Sequence, residues 1–300
     1  MQAAGIRQVG ARIEMIDVGE PRPLAADEVL LEVMAAGVGN WDEYVRTGGW
    51  DVGARPPMAL GVEAAGTVAA AGRAVSDWAP GDAVMTHPVP LRDQGTWAPR
   101  LIAPAGLLAR KPPGASWEAA AAFPVPALTA EQVLGDSLRV RAGEQVLVNG
   151  ASGVTGGLLV VLAALRGAQV IATAGPAHRQ WVAELGAGHV IDYHDRQWPE
   201  QVRAITGGRG VAAASSSSAT MPWRRWNSQA APLSPSCSAA AVRSSCSISS
   251  KSDSISAMAP GDSMAKLDIW ATYTTSMRPV RPCSNLTAAS SARPAGAEPS

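Results

Sequence analysis

The sequence predicts an α/β protein in which a β-rich N-terminal domain precedes an incomplete doubly wound parallel sheet and an irregular Ser-rich tail. Three observations predict it. Short apolar segments punctuated by Gly and Pro fill most of residues 1–122, the pattern of a small barrel or sandwich. Strand and helix patterns then alternate three times between residues 145 and 206. Finally, residues 1–211 hold four serines and 28 glycines whereas residues 212–300 hold 22 serines and two glycines, so the chain has to be read in two parts.

In the first domain, Val29-Leu-Leu-Glu-Val-Met-Ala-Ala36 reads as a strand ended by Gly37 and Gly39. Gly61-Val-Glu-Ala-Ala-Gly-Thr-Val-Ala69 and Ala83-Val-Met-Thr86 read as further strands, joined through the turn Ala79-Pro-Gly-Asp82. After a loop bracketed by Pro88, Pro90 and Gly95, Thr96–Ala103 is another strand candidate. Two helices are expected next, Trp117–Ala122 and Ala127–Leu134, separated by Pro124 and Pro126.

The second domain, residues 123–211, opens on Glu144-Gln-Val-Leu-Val-Asn-Gly-Ala-Ser-Gly-Val-Thr-Gly156, a short apolar strand running into a glycine turn and a helix. Gly150, Gly153 and Gly156 recur every third residue, so the chain can turn tightly and bring backbone N–H groups close to a pyrophosphate at the helix start. Gly150, Ala151, Ser152, Gly153, Val154, Thr155 and Gly156 are therefore the candidate dinucleotide-binding residues. A second strand (Gln169–Thr173), a helix (Ala177–Leu185), a third strand (His189–Tyr193) and a helix (Pro199–Thr206) follow. An acid at the end of the second strand normally accepts from the adenosine ribose and repels a 2′-phosphate. That strand ends Ala172-Thr-Ala-Gly175 with no acid, and His178 and Arg179 come next, which favours NADP(H) with Arg179 as the phosphate partner.

Composition excludes several classes. With 25 basic and 25 acidic residues the net charge is zero, which argues against nucleic-acid or anionic-membrane partners and leaves a small-molecule substrate. Met1–Gly10 lacks a basic region and an apolar run, and the longest aliphatic run, Leu158–Leu165, is too short to span a bilayer, so a cytoplasmic location is expected. The cysteines, Cys237, Cys246 and Cys283, all follow residue 211, so the two domains contain neither a disulfide nor a cysteine zinc site.

The phrases Ala35-Ala-Gly-Val-Gly-Asn-Trp-Asp-Glu-Tyr-Val-Arg-Thr-Gly48, Leu60-Gly-Val-Glu-Ala-Ala-Gly66, Pro80-Gly-Asp82, Ala127-Leu-Thr-Ala130 and Leu185-Gly-Ala187 resemble the medium-chain dehydrogenase/reductase superfamily over about residues 20–211. Within it the resemblance is to the zinc-free quinone oxidoreductase branch. It implies a GroES-like N-terminal domain, a Rossmann domain, a cleft between them for nicotinamide and substrate, and a homodimer where the fold is complete. The implied activity is NADPH-dependent hydride transfer to a quinone or enone. A catalytically inactive nucleotide-binding remnant and an enoyl-reductase-like activity on acyl thioesters are the alternatives. By the same resemblance Tyr44 lines the cleft and donates a hydrogen bond, Thr129 lies near the nicotinamide and Tyr193 near the adenosine phosphate. Tyr44 also reads as a packed aromatic, and Thr129 as a helix residue bonding its own backbone.

Zinc-dependent relatives carry a cysteine in the segment matching Ala35–Asp42 and a histidine before the glutamate of a Gly-His-Glu phrase. This chain has Gly61-Val62-Glu63 and no early cysteine, so two soft ligands are missing and no metal is expected. His87, His178, His189 and His194 have no close metal-binding spacing. Without a Lewis acid, the acceptor has to take hydride readily, and catalysis rests on positioning. The resemblance ends near residue 211. Residues 212–300 read as low-complexity sequence, disordered or translated out of frame, because Ser-rich sequence buries too little apolar surface to offset chain ordering.

Overall fold

A computed structural model of the chain describes residues 1–216. The expectations for the Ser-rich stretch beyond residue 216, including its cysteines, lie outside the described residues.

The N-terminal domain contains two antiparallel sheets. Strands β1 (Gln2–Ile6), β2 (Glu14–Asp17) and β4 (Met58–Ala59) form one, in the order β2-β1-β4. The other takes β3 (Glu28–Ala36), β5 (Ala64–Ala71), β6 (Ala83–Thr86), β7 (Arg100–Pro104) and β8 (Leu108–Arg110) in the order β7-β3-β5-β6-β8. Alternate residues of these strands, Val29, Leu31, Val68, Val84, Leu101 and Leu108, point to one side and form its core. Strand β5 begins later than its apolar pattern because Gly61 has φ +90°, and a Cβ there would lie 2.4 Å from Thr96 Oγ1. Thr96 and Trp97 in turn spend their N–H groups on the Gly61 and Leu60 carbonyls, so β7 starts only at Arg100.

Helix α1 (Asn40–Thr47) follows β3. The Asp42 carboxylate accepts from the Gly39 N–H at 2.8 Å to cap its start, and Gly48, at φ +80°, ends it. Helix α2 (Trp117–Ala121) is capped by Ser116 Oγ, which accepts from the Ala119 N–H. Pro124 and Pro126 do not separate two helices as expected. Both lie in the first turn of α3 (Pro124–Gln132), where a missing N–H costs nothing because no carbonyl awaits it.

The second domain alternates β9 (Gln145–Asn149), α4 (Val154–Leu165), β10 (Gln169–Thr173), α5 (Arg179–Glu184), β11 (His189–Ile191), α6 (Trp198–Ile205) and β12 (Ala213–Ser216). Its sheet is parallel, in the order β11-β10-β9-β12. Val146 and Val148 of β9 pack under α3 and α4 with Leu134, Leu159 and Leu162, while Leu147 meets Val202 of α6 on the other face. Strand β12 corrects the expectation that regular structure ends at residue 211. Ala-Ala-Ser-Ser has no apolar alternation to announce a strand, and its place comes from pairing with Val146–Asn149 of β9.

Candidate functional site

Strand order fixes where a ligand fits. The chain leaves β9 for β10 on one side and returns as β12 on the other, so β9 sits at the point where the winding reverses, and a crevice opens beyond its carboxyl end. The glycine turn occupies that position. Gly150, at φ +74°, turns the chain off the strand, and Gly153 is the N-cap of α4 in extended conformation (φ −81°, ψ 164°). No side chain caps this helix and its first turn has no acid, so its leading N–H groups and positive end are left for an anion. Along the turn Ala151 is buried, Ser152 and Thr155 are half-buried, and Val154 is exposed. Gly156 and Gly157 are both buried, and a Cβ on Gly157 would come within 3.2 Å of Leu185 and Trp181.

Two residues overlooked in the sequence hold the turn in place. Thr173, at the end of β10, donates its hydroxyl to the Asn149 side-chain oxygen and accepts from the Gly150 N–H at 3.1 Å, and the Ala151 N–H reaches the Thr173 carbonyl at 3.0 Å. Thr173 and Asn149 are buried. The available signal was a polar residue closing each of two adjacent apolar strands. Thr173→Val, which keeps the shape but removes the hydroxyl from two hydrogen bonds, is expected to cost about 1–3 kcal/mol in urea unfolding and to weaken nucleotide binding measured by fluorescence titration.

At the far end of the crevice, Arg179 donates to the Val190 carbonyl at 3.1 Å, and His178 is exposed on the preceding turn of 3-10 helix. Tyr193 is 43% exposed and lies beside Gly175, at the corner where β10 ends. His178, Arg179 and Tyr193 thus belong to one corner, while Thr129 belongs to the domain junction. Thr129 is exposed on α3 and its hydroxyl donates to the Val125 carbonyl at 2.8 Å, the backbone-bonding alternative noted above.

The junction itself is built around Gly61-Val62-Glu63. Glu63 is almost fully buried, and its carboxyl accepts from the Val125 N–H at 2.8 Å, joining the β-domain to the first turn of α3. Gly37 makes room for it, since a Cβ there would lie 2.3 Å from the Glu63 carboxyl. Burial raises the Glu63 pKa to about 8 and that of buried Asp42 to about 6, and the charge of Asp42 adds to the shift of Glu63. Val62 is fully buried among Leu60, Trp41, Trp97 and Val125, and its carbonyl lies 2.6 Å from His87 Nδ1. The residue types at this point do not suit zinc: an aliphatic chain stands where a ligand is required, and the described residues contain no cluster of three His, Cys, Asp or Glu side chains.

Tyr44 sits on α1 with its ring against Gly49 and its hydroxyl enclosed by protein, a geometry that suits the packed-aromatic alternative. A cavity of about 290 Å³ lies nearby, behind α1, lined by Val45, Trp50, Val52, Arg55 and Met58. All its walls come from the β-domain, away from the glycine turn. Among the described residues no helix is long and apolar enough to cross a membrane.

Comparison with known proteins agrees with this arrangement. Residues 25–113 match the alcohol dehydrogenase GroES-like domain family and residues 154–223 the zinc-binding dehydrogenase family, the second match extending past β12. The chain is 39% identical over 193 residues to an erythronolide synthase of Saccharopolyspora erythraea, which covers 63% of this chain but only 5% of that much longer protein. Among solved structures, an alcohol dehydrogenase superfamily protein from Novosphingobium aromaticivorans is 31% identical, with a TM-score of 0.68 over 77% of this chain and 70% of that one. A quinone oxidoreductase from Pseudomonas syringae is 27% identical, with a TM-score of 0.68 over 78% and 71%. The CurK enoyl reductase is 26% identical, with a TM-score of 0.63 over 71% and 66%. A GroES-like domain precedes a parallel sheet with a glycine turn at its switch point in this chain, and the chain belongs to the medium-chain dehydrogenase/reductase superfamily of oxidoreductases.

Proposed function

We propose that this chain is an NADPH-dependent, zinc-free reductase of activated carbon–carbon double bonds, with α,β-unsaturated acyl thioesters as the preferred acceptor class. The observation that carries the reading is the glycine turn, whose uncapped helix start faces the crevice at the switch point. Gly150, Ala151, Ser152, Gly153, Val154, Thr155 and Gly156 hold the pyrophosphate, and His178, Arg179 and Tyr193 hold the adenosine end. When bound, the nicotinamide supplies a hydride. The protein positions: Thr129 borders the nicotinamide, α3 and the Glu63 junction keep the two domains in register, and Tyr44 packs its ring on Gly49 just past the end of α1. The apolar segment around Val62 excludes water and offers no electrophile, so an acceptor whose hydride adduct is already a stabilised anion suits the site.

Likeness to an erythronolide synthase and to an enoyl reductase favours the thioester. Likeness to a quinone oxidoreductase favours a second reading, in which a small quinone is the acceptor. NADPH oxidation by the full-length protein, followed with a crotonyl thioester and with a small quinone, separates them. Turnover of the thioester is the expected result. Turnover of the quinone alone selects the second reading, and saturable NADPH binding with neither turnover overturns both in favour of a non-catalytic nucleotide-binding protein.

A further inference from the structure

Gly175 ends the segment leaving β10, and the space its missing side chain would fill is occupied from the segment after β11. A Cβ on Gly175 would lie 3.3 Å from the Tyr193 hydroxyl and 3.5 Å from His194 Cε1. In a sheet of this topology the end of the second strand is where the adenosine ribose is read. His194 therefore stands at the ribose corner, although it follows the third strand in sequence.

Its ring is fixed on two sides. His194 Nδ1 lies 2.8 Å from Asp192 Oδ1, which also accepts the His194 backbone N–H at 2.9 Å, and the ring packs on Tyr193 with centroids 4.2 Å apart. With Nδ1 turned to the carboxylate, Nε2 is the nitrogen left for a ligand, and the side chain is 63% exposed. Asp192 is held below the usual carboxylate range, chiefly by the His194 N–H, with the imidazole and Arg179 adding to it. The flanking segments also carry His178 and Asp195, the latter occupied by the Gln197 N–H and the Gln201 amide. Arg179, Asp192 and His194 thus sum to one positive charge when the imidazole is protonated and to zero when it is neutral.

Building on the nicotinamide reading above, we propose that His194 makes the choice between NADPH and NADH depend on pH. Protonated, it donates from Nε2 to a 2′-phosphate beside Arg179; neutral, it leaves the corner without excess charge and Asp192 as the acceptor for an unmodified ribose hydroxyl. This supplies, from the third strand, the acid that the second strand lacks.

Fluorescence titration of the full-length protein with NADPH and NADH at about pH 6 and pH 8 tests the proposal. The ratio of the NADH Kd to the NADPH Kd is expected to fall about five- to tenfold in the wild type as pH rises. In His194→Gln it is expected to be low at both pH values, and in His194→Lys to stay high at pH 8. The ligand's own 2′-phosphate also titrates, near pH 6, but equally for all three proteins, so the difference between them isolates His194. The same pH slope in wild type and His194→Gln overturns the proposal alone. Failure of the wild type to bind NADPH at either pH overturns the nicotinamide reading and this inference with it.

Discussion

Gly153→Asp is expected to keep the fold and abolish nucleotide binding, lowering NADPH affinity at least about 100-fold. Gly153 caps α4 with φ −81° and ψ 164°, an extended conformation open to any residue, so no backbone strain opposes the change. Asp is among the best N-cap residues, and its carboxylate accepts from the same leading N–H groups that a pyrophosphate uses. The substitution therefore stabilises the helix by roughly a few tenths of a kcal/mol, up to about 1 kcal/mol with the helix dipole, while placing a like charge where the phosphates bind. Thermal unfolding and fluorescence titration of the same sample measure the two signs together. A Tm equal to or above wild type with binding lost supports the phosphate site. Unchanged NADPH affinity removes it.

Glu63→Gln is expected to stabilise the protein at alkaline pH. The folded-state pKa of about 8 lies above the ordinary carboxyl value of 4.5 because burial disfavours the charged form. A group whose pKa is raised by folding contributes fully below its unfolded pKa and loses that contribution as pH climbs through its folded pKa. Wild-type stability should thus decline between about pH 5 and pH 8 on account of this carboxyl, by a few kcal/mol at 1.36 kcal/mol per pKa unit. The Gln amide keeps an oxygen for the Val125 N–H and has no charge to bury. Urea unfolding should show the variant more stable by a few kcal/mol above pH 8 and within about 1 kcal/mol of wild type below pH 5. A constant loss at every pH would mean that the carboxyl is not buried as a neutral acid. Asp42 contributes in the same direction in its own window, up to about pH 6, and is common to both proteins.

Much of this plan was legible in the sequence because its elements carry strong local signals. Gln169–Thr173 and Ala83–Thr86 occur as read, and the strand, glycine turn and helix at residues 145–165 stand at the crevice of the sheet. What escaped depended on tertiary contacts. Strand β12 is a run of small residues made a strand by pairing with β9. Asn149 and Thr173 anchor the turn only when two parallel strands end side by side. The starts of β5 and β7 moved because the Thr96 and Trp97 N–H groups donate to the Gly61 and Leu60 carbonyls across 35 or more residues of chain. No acid follows β10, yet Asp192, just past β11, is brought near the end of β10 through its bond to His194, a proximity no spacing rule reports.

Everything proposed rests on one binding event at the glycine turn. Titrating the full-length wild-type protein with NADPH while following ligand fluorescence measures it directly. Saturable one-to-one binding, competed by excess NADP and lost in Gly153→Asp, is the predicted result, and no saturable binding at millimolar NADPH would contradict it.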